Sequence, residues 1–328
     1  MAHGFRILRL HGSELTMDRR DGERAALRAQ AARYTPPLVQ SPCVMSVAVV
    51  LGAGDLGGNL AHALARGDRF REIRLIDKAE RLAGGKALDI CQAGPVEGFG
   101  TRVSAAADEA ATRDAAVVVL ADAAGPPSRE WQGETGLDLL RRVLRINAGA
   151  PIVCAGPAAA WLVERAVEEL GVPRAAIVGS APAALAAAVA ISVGLEAHVS
   201  PQHVELWLAG RPPDRVVVAW EEGSIGGDRP SSVLGVSALA RIKARVPRLW
   251  PPGVHALASA GARVAEALLD GARRQLTCFA TLDGEESTRG RVAAVPVRFR
   301  KGAVAEINLP ALSPGERIAF DNVLASRR

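Results

Sequence analysis

From residue 46 onward the chain alternates between short apolar, β-branched runs and segments whose apolar residues recur every three or four positions. Runs of the first kind predict strands and those of the second predict amphipathic helices. SVAVVLG (46–52) predicts a strand, and GAGDLGGNLAHALARG a glycine turn entering a helix. EIRLID (72–77), TRVSA (101–105), DAAVVVLAD (114–122) and APIVCAG (150–156) predict further strands. ERLAGGKALDICQAG and LDLLRRVLRI (137–146) predict the helices between them. Alternation of this kind builds an α/β fold with a doubly wound parallel sheet.

The pattern changes in the second half. AAWLVERAVEELG predicts a helix, RAAIVGSA a strand or turn, and APAALAAAVAISVGL (181–195) an alanine-rich helix. HVELWLAG and RVVVAW predict two strands around the turn Gly210-Arg211-Pro212-Pro213-Asp214-Arg215, with Asp214 as turn-former and Trp207 and Trp220 in the core. Helices are expected over 231–247 and 253–271, then strands QLTCFATL, RVAAVPVRF and VAEINLP, and a last helix from Ser313. This half reads as mixed α+β. Residues 1–44 show no pattern continuous with the strand at 46, which predicts either a flexible basic leader or a start displaced to Met45.

Composition narrows the function classes. Apolar residues make up 49% and charged residues 23%, an ordinary globular balance. The net charge is +5, and 36 of the 40 basic residues are Arg. Seven Arg against four acids lie in 1–44, so the body is nearly neutral. No basic stripe is interleaved with aromatics, which argues against nucleic acid as a partner. Cys43, Cys91, Cys154 and Cys278 stand apart without metal spacing, so no metal is expected and the thiols read as free in a reducing compartment. No secretory signal or membrane span is visible, and a cytoplasmic protein is expected.

Gly52-Ala53-Gly54-Asp55-Leu56-Gly57 is G-x-G-x-x-G between a predicted strand and a predicted helix, and Asp77 ends the next strand 20 residues after Gly57. That context points to a dinucleotide site of Rossmann type. Gly52 permits the turn, Gly54 lets backbone approach a pyrophosphate, and Gly57 lets the helix pack on the strand. The helix start at Asp55 and Leu56 offers N–H groups to phosphate. Asp77 accepts from ribose hydroxyls and favours NAD over NADP, a preference that Lys78 beside it weakens. The expected division is 45–157 for the dinucleotide-binding domain and 158–328 for an α+β substrate-type domain.

VVLGAGDLGG…LIDKAERLAGGKALDICQAGPVEGFGTRV (49–103) resembles the lactate/malate dehydrogenase family, with weaker echoes at 255–271 and 295–316. The resemblance implies an NAD-binding Rossmann domain, a C-terminal domain of that family's type, hydride transfer between 2-hydroxy and 2-keto acids, and a homo-oligomer. It also implies a catalytic histidine, an orienting aspartate, a substrate-holding arginine and an asparagine.

None of these stands at its matched position. The histidine falls on Arg211, the aspartate on Leu185, the substrate arginine on Ala188, and Asn-Pro becomes Gly156-Pro157. Arginine cannot shuttle a proton near neutral pH. The leading expectation is therefore an NAD(H)-binding family member without the usual activity, a pseudoenzyme or one with altered chemistry. A second is an active dehydrogenase on an unusual substrate, with Arg211 or Arg129 holding a small anion or 2-keto acid and His255 carrying the proton. A third is an interaction protein without nucleotide. His62, His198 and His203 read as surface or loop residues, Arg211 and Arg129 otherwise as solvated loop arginines, and the charges of ERAVEEL (164–170) as a solvated helix face.

Overall fold

The computed structural model describes residues 46–213, 215–283 and 290–325. The expected leader and Asp214 lie outside them. In chain order the first half runs β1 (Val47–Leu51), α1 (Asp55–Gly67), β2 (Glu72–Ile76), α2 (Glu80–Glu97), β3 (Arg102–Ala106) and β4 (Val117–Leu120). It continues through β5 (Asp122–Ala123), β6 (Arg129–Glu130), α3 (Gly133–Ile146), β7 (Ile152–Cys154), α4 (Ala159–Leu170) and β8 (Ile177–Gly179). The second half runs α5 (Ala181–Ala197), β9 (Val204–Arg211), β10 (Arg215–Ile225), α6 (Pro230–Val233), α7 (Val236–Arg245) and α8 (Val254–Asp270). It closes with β11 (Ala272–Thr281), β12 (Val292–Arg300), β13 (Ala303–Ile307) and α9 (Pro314–Ala325).

β3, β2, β1, β4, β7 and β8 lie side by side in parallel, in that order. β1 and β4 are buried along their whole length, which explains their unbroken apolar composition. The order reverses between β1 and β4, the switch point at which such sheets open a crevice at the strands' C-terminal ends. α1 buries Leu56, Leu60, Ala61, Leu64 and Ala65, one helical face. Against it lies α8, where a Cβ on Gly261 would collide with Leu60.

The sheet does not stop at residue 157. β8 extends the parallel set, and β11 then joins antiparallel through Phe279 opposite Gly179. A side chain on Gly179 would press into the Phe279 ring, so the two halves meet where one residue has no Cβ. β12, β9 and β10 follow, with β13 on β12. The helix expected over 231–247 is broken: α6 ends at Val233, and Gly235, in extended backbone, caps α7. Trp220 is buried as expected, whereas Trp207 is only half-buried.

Candidate functional site: the crevice at the start of α1

Gly52 turns the chain out of β1 with φ +104°, a conformation that favours glycine. A Cβ on it would collide with the backbone carbonyl of Asp122, and one on Gly57 with the carbonyl of Gly52. These two glycines therefore serve the turn and the helix–strand approach. Gly54 also permits a close approach, but the approaching group is the chain's own: its Cβ position overlaps the carboxylate of Asp122.

Asp122 is the residue that the sequence pattern did not single out. Its Oδ1 accepts a hydrogen bond from the Gly57 N–H at 2.7 Å, and its Oδ2 one from the Leu56 N–H at 3.1 Å. The Gly54 N–H donates to its backbone carbonyl at 2.9 Å. These N–H groups at the positive end of α1 are the ones a pyrophosphate would use. The donor set for the cofactor is present, but its occupant is a side chain of a residue 6% exposed. A dinucleotide pyrophosphate does not fit beside it.

Asp77 is equally engaged. Its Oδ2 accepts from the N–H groups of Ala53 and Ala124, and its Oδ1 from that of Ala79, all at 2.8 Å. The Ala124 bond brings the segment after β4 across the end of β2. Asp55 and Lys78 are exposed. Lys86, not singled out beforehand, donates from Nζ to the Gly54 carbonyl at 2.7 Å and lies 4.0 Å from the Asp55 carboxylate.

β5 and β6 form a two-stranded ribbon carrying Asp122 and Glu130. The Trp131 N–H donates to the Ala121 carbonyl and ties its end down. Glu130 Oε1 accepts from the Ala158 N–H at 2.9 Å, and it fills the space that a side chain on Gly156 would take. Burial pushes its carboxyl up to about 7, against the Ala158 hydrogen bond and with the Asp122 charge adding to the rise. Behind it, Cys154 is wholly buried, and burial together with Glu130 holds its thiol protonated.

The remaining candidates do not converge. Arg211, at the end of β9, pairs with Glu164 of α4 at 2.9 Å, the two side chains 24% and 17% exposed. Both are partly buried, which corrects the expectation of a solvated loop arginine at Arg211, while Glu168 and Glu169 of the same helix are exposed as expected. Arg129 is exposed, its backbone paired with Ala123, and His255 is exposed in the first turn of α8. Leu185 is buried in an apolar cluster with Val189 and Leu208. His62, on the surface of α1 as expected, binds Glu97 at 3.0 Å. Ser180, at the start of α5, has a buried hydroxyl without a hydrogen-bond partner. Among the described residues no group of His, Cys, Asp or Glu is placed to hold a metal ion, and no helix is long and apolar enough to cross a membrane.

The family model described as lactate/malate dehydrogenase, NAD binding domain, matches residues 45–160. Malate dehydrogenase of Thioalkalivibrio sulfidiphilus is 31% identical over 303 residues, covering 87% of this chain and 98% of that one. Malate dehydrogenase of Salinibacter ruber is 28% identical, covering 79% of this chain and 87% of its own length. The solved malate dehydrogenase of Salinibacter ruber superposes with a TM-score of 0.76 at 24% identity, covering 84% of this chain and 93% of that one. A lactate dehydrogenase of Cryptosporidium parvum, solved with lactic acid and nicotinamide adenine dinucleotide, superposes with a TM-score of 0.75 at 22% identity, covering 86% and 97%.

Proposed function

Because this chain belongs to the lactate/malate dehydrogenase family, we propose that it is a member without that family's usual 2-hydroxy-acid hydride transfer. The observation that carries this reading is the ion pair between Arg211 and Glu164. Hydride can leave a hydroxyl-bearing carbon only as a base takes the hydroxyl proton. A guanidinium cannot be that base. Nor is Arg211 free to hold a substrate carboxylate while Glu164 holds it. Leu185 and Ala188 supply neither an orienting carboxylate nor an anchoring cation. Lost acid–base catalysis alone costs about 10²–10⁴ in rate. Mixing the protein with NAD and a panel of 2-hydroxy acids, and with NADH and the matching 2-keto acids, is expected to give no turnover above background. Robust oxidation of malate or lactate would overturn the reading.

The second reading, an active dehydrogenase on an unusual substrate, is favoured by the relatives named malate dehydrogenase across most of this chain. It needs Arg211 or Arg129 as anchor and His255 as proton carrier. It predicts that Arg211→Ala and His255→Ala each cut turnover strongly on whatever substrate a screen finds, and indifference to both removes it. For either reading, the charge of Asp77 favours NAD over NADP in an opened crevice. The expected setting is a cytoplasmic homo-oligomer.

A further inference from the structure

We propose that the nucleotide crevice of this chain is shut by its own carboxylate, with Asp122 held in the anion cradle of α1 so that NADH enters only when that side chain is displaced. The two amides of the cradle are both spent on Asp122. A carboxylate and a pyrophosphate are both anions, and they cannot share these donors or this space. Gly54, the helix cap, contributes no side chain to the cradle, so the carboxylate there comes from Asp122, 66 residues beyond Leu56.

Three further contacts hold the plug in place. The backbone of Asp122 accepts from Gly54. The Ala124 N–H, two residues on, is bound by Asp77, which ties the segment across the end of β2. The ribbon then returns through Arg129 and Glu130, whose carboxyl docks on Ala158 and fills the space beside Gly156. The side chains of Asp122 and Glu130 thus lie at the ends of β4 and β7, and moving one strand of the ribbon disturbs the other. A ligand that binds only the opened form has its apparent affinity lowered by the fraction of molecules open.

This inference concerns the same site as the proposed function but rests on the family relation rather than on the lost proton transfer. Calorimetric titration reads binding and the substrate panel reads turnover, so the two can fail separately. The full chain, Asp122→Gly and Asp122→Asn are titrated with NADH, and with ADP-ribose as a probe lacking nicotinamide. The unaltered chain is expected to show no saturable binding of either. Asp122→Gly is expected to bind both, at least about tenfold more tightly than the unaltered chain. Asp122→Asn keeps the size and loses the charge, so it should fall between. Should Asp122→Gly fail to fold, as judged by circular dichroism, Asp122→Asn decides: binding tighter than that of the unaltered chain supports the plug, and equal binding overturns it. Tight NADH binding by the unaltered chain, or binding by no folded variant, overturns the proposal.

Discussion

Asp122 and Glu130 show how a side chain's neighbours decide its chemistry. Glu130 faces the Asp122 charge, the Cys154 thiol and the Ala158 N–H, and burial raises its carboxyl from 4.5 to about 7. Between those values the unfolded chain releases the proton while the folded chain keeps it. Stability is therefore full below the unfolded value and falls as pH rises toward 7, by about 3 kcal/mol in all. Glu130→Gln keeps the acceptor for Ala158 and removes the titration. It should melt with the unaltered protein near pH 4 and well above it at pH 8, and thermal melts across pH check this. Equal melting temperatures at both pH values would contradict it. The glycines divide in the same way. Gly57→Ala drives a Cβ into backbone and should cost about 3 kcal/mol. Gly84→Ala, in α2 with nothing within reach of its Cβ, should gain about 0.5–1 kcal/mol. Urea unfolding measures both, and a neutral Gly57→Ala would refute the tight helix–strand contact.

At the scale of elements, the ion pair of Arg211 with Glu164 ties the end of β9 to α4. Arg211→Ala and Glu164→Ala should each lower stability by about 1–2 kcal/mol, because each leaves a half-buried charge without its partner. The double variant should lose less than the sum, a coupling read from a double-mutant cycle, and strict additivity would mean that the pair contributes nothing. Elements of this kind were legible beforehand wherever burial imposes a strong pattern. The run Val117–Leu120 reads as a strand because both its faces are covered. The break of the 231–247 helix at Gly235 was not legible, because a lone glycine is tolerated inside helical patterns as well as at their ends. The ribbon of β5 and β6 was missed too: two-residue strands have no periodicity to detect, and their pairing depends on the crevice into which they fold.

For the whole molecule, the family was legible from the resemblance over 49–103, and the strand, glycine turn and helix at 46–67 from the motif in its context. The contents of the crevice were not. Gly52, Gly54, Gly57 and Asp77 all sit at the crevice, yet the partners of Gly54 and Asp77 are Asp122, Ala53, Ala79 and Ala124, most of them distant in sequence. The available signal was an acid placed just beyond a fully buried strand, where an anion would meet the amides of α1. Glu130 and Glu164 are the same kind of case, acids whose partners, Ala158 and Arg211, come from other elements. The chain thus retains the family's architecture, and its own carboxylates Asp122 and Glu164 engage the first amides of α1 and Arg211. Amide hydrogen exchange over residues 52–57, with and without excess NADH, tests this most directly. The predicted result is strong protection of Leu56 and Gly57 that NADH leaves unchanged. Weak protection that rises when NADH is added would contradict it.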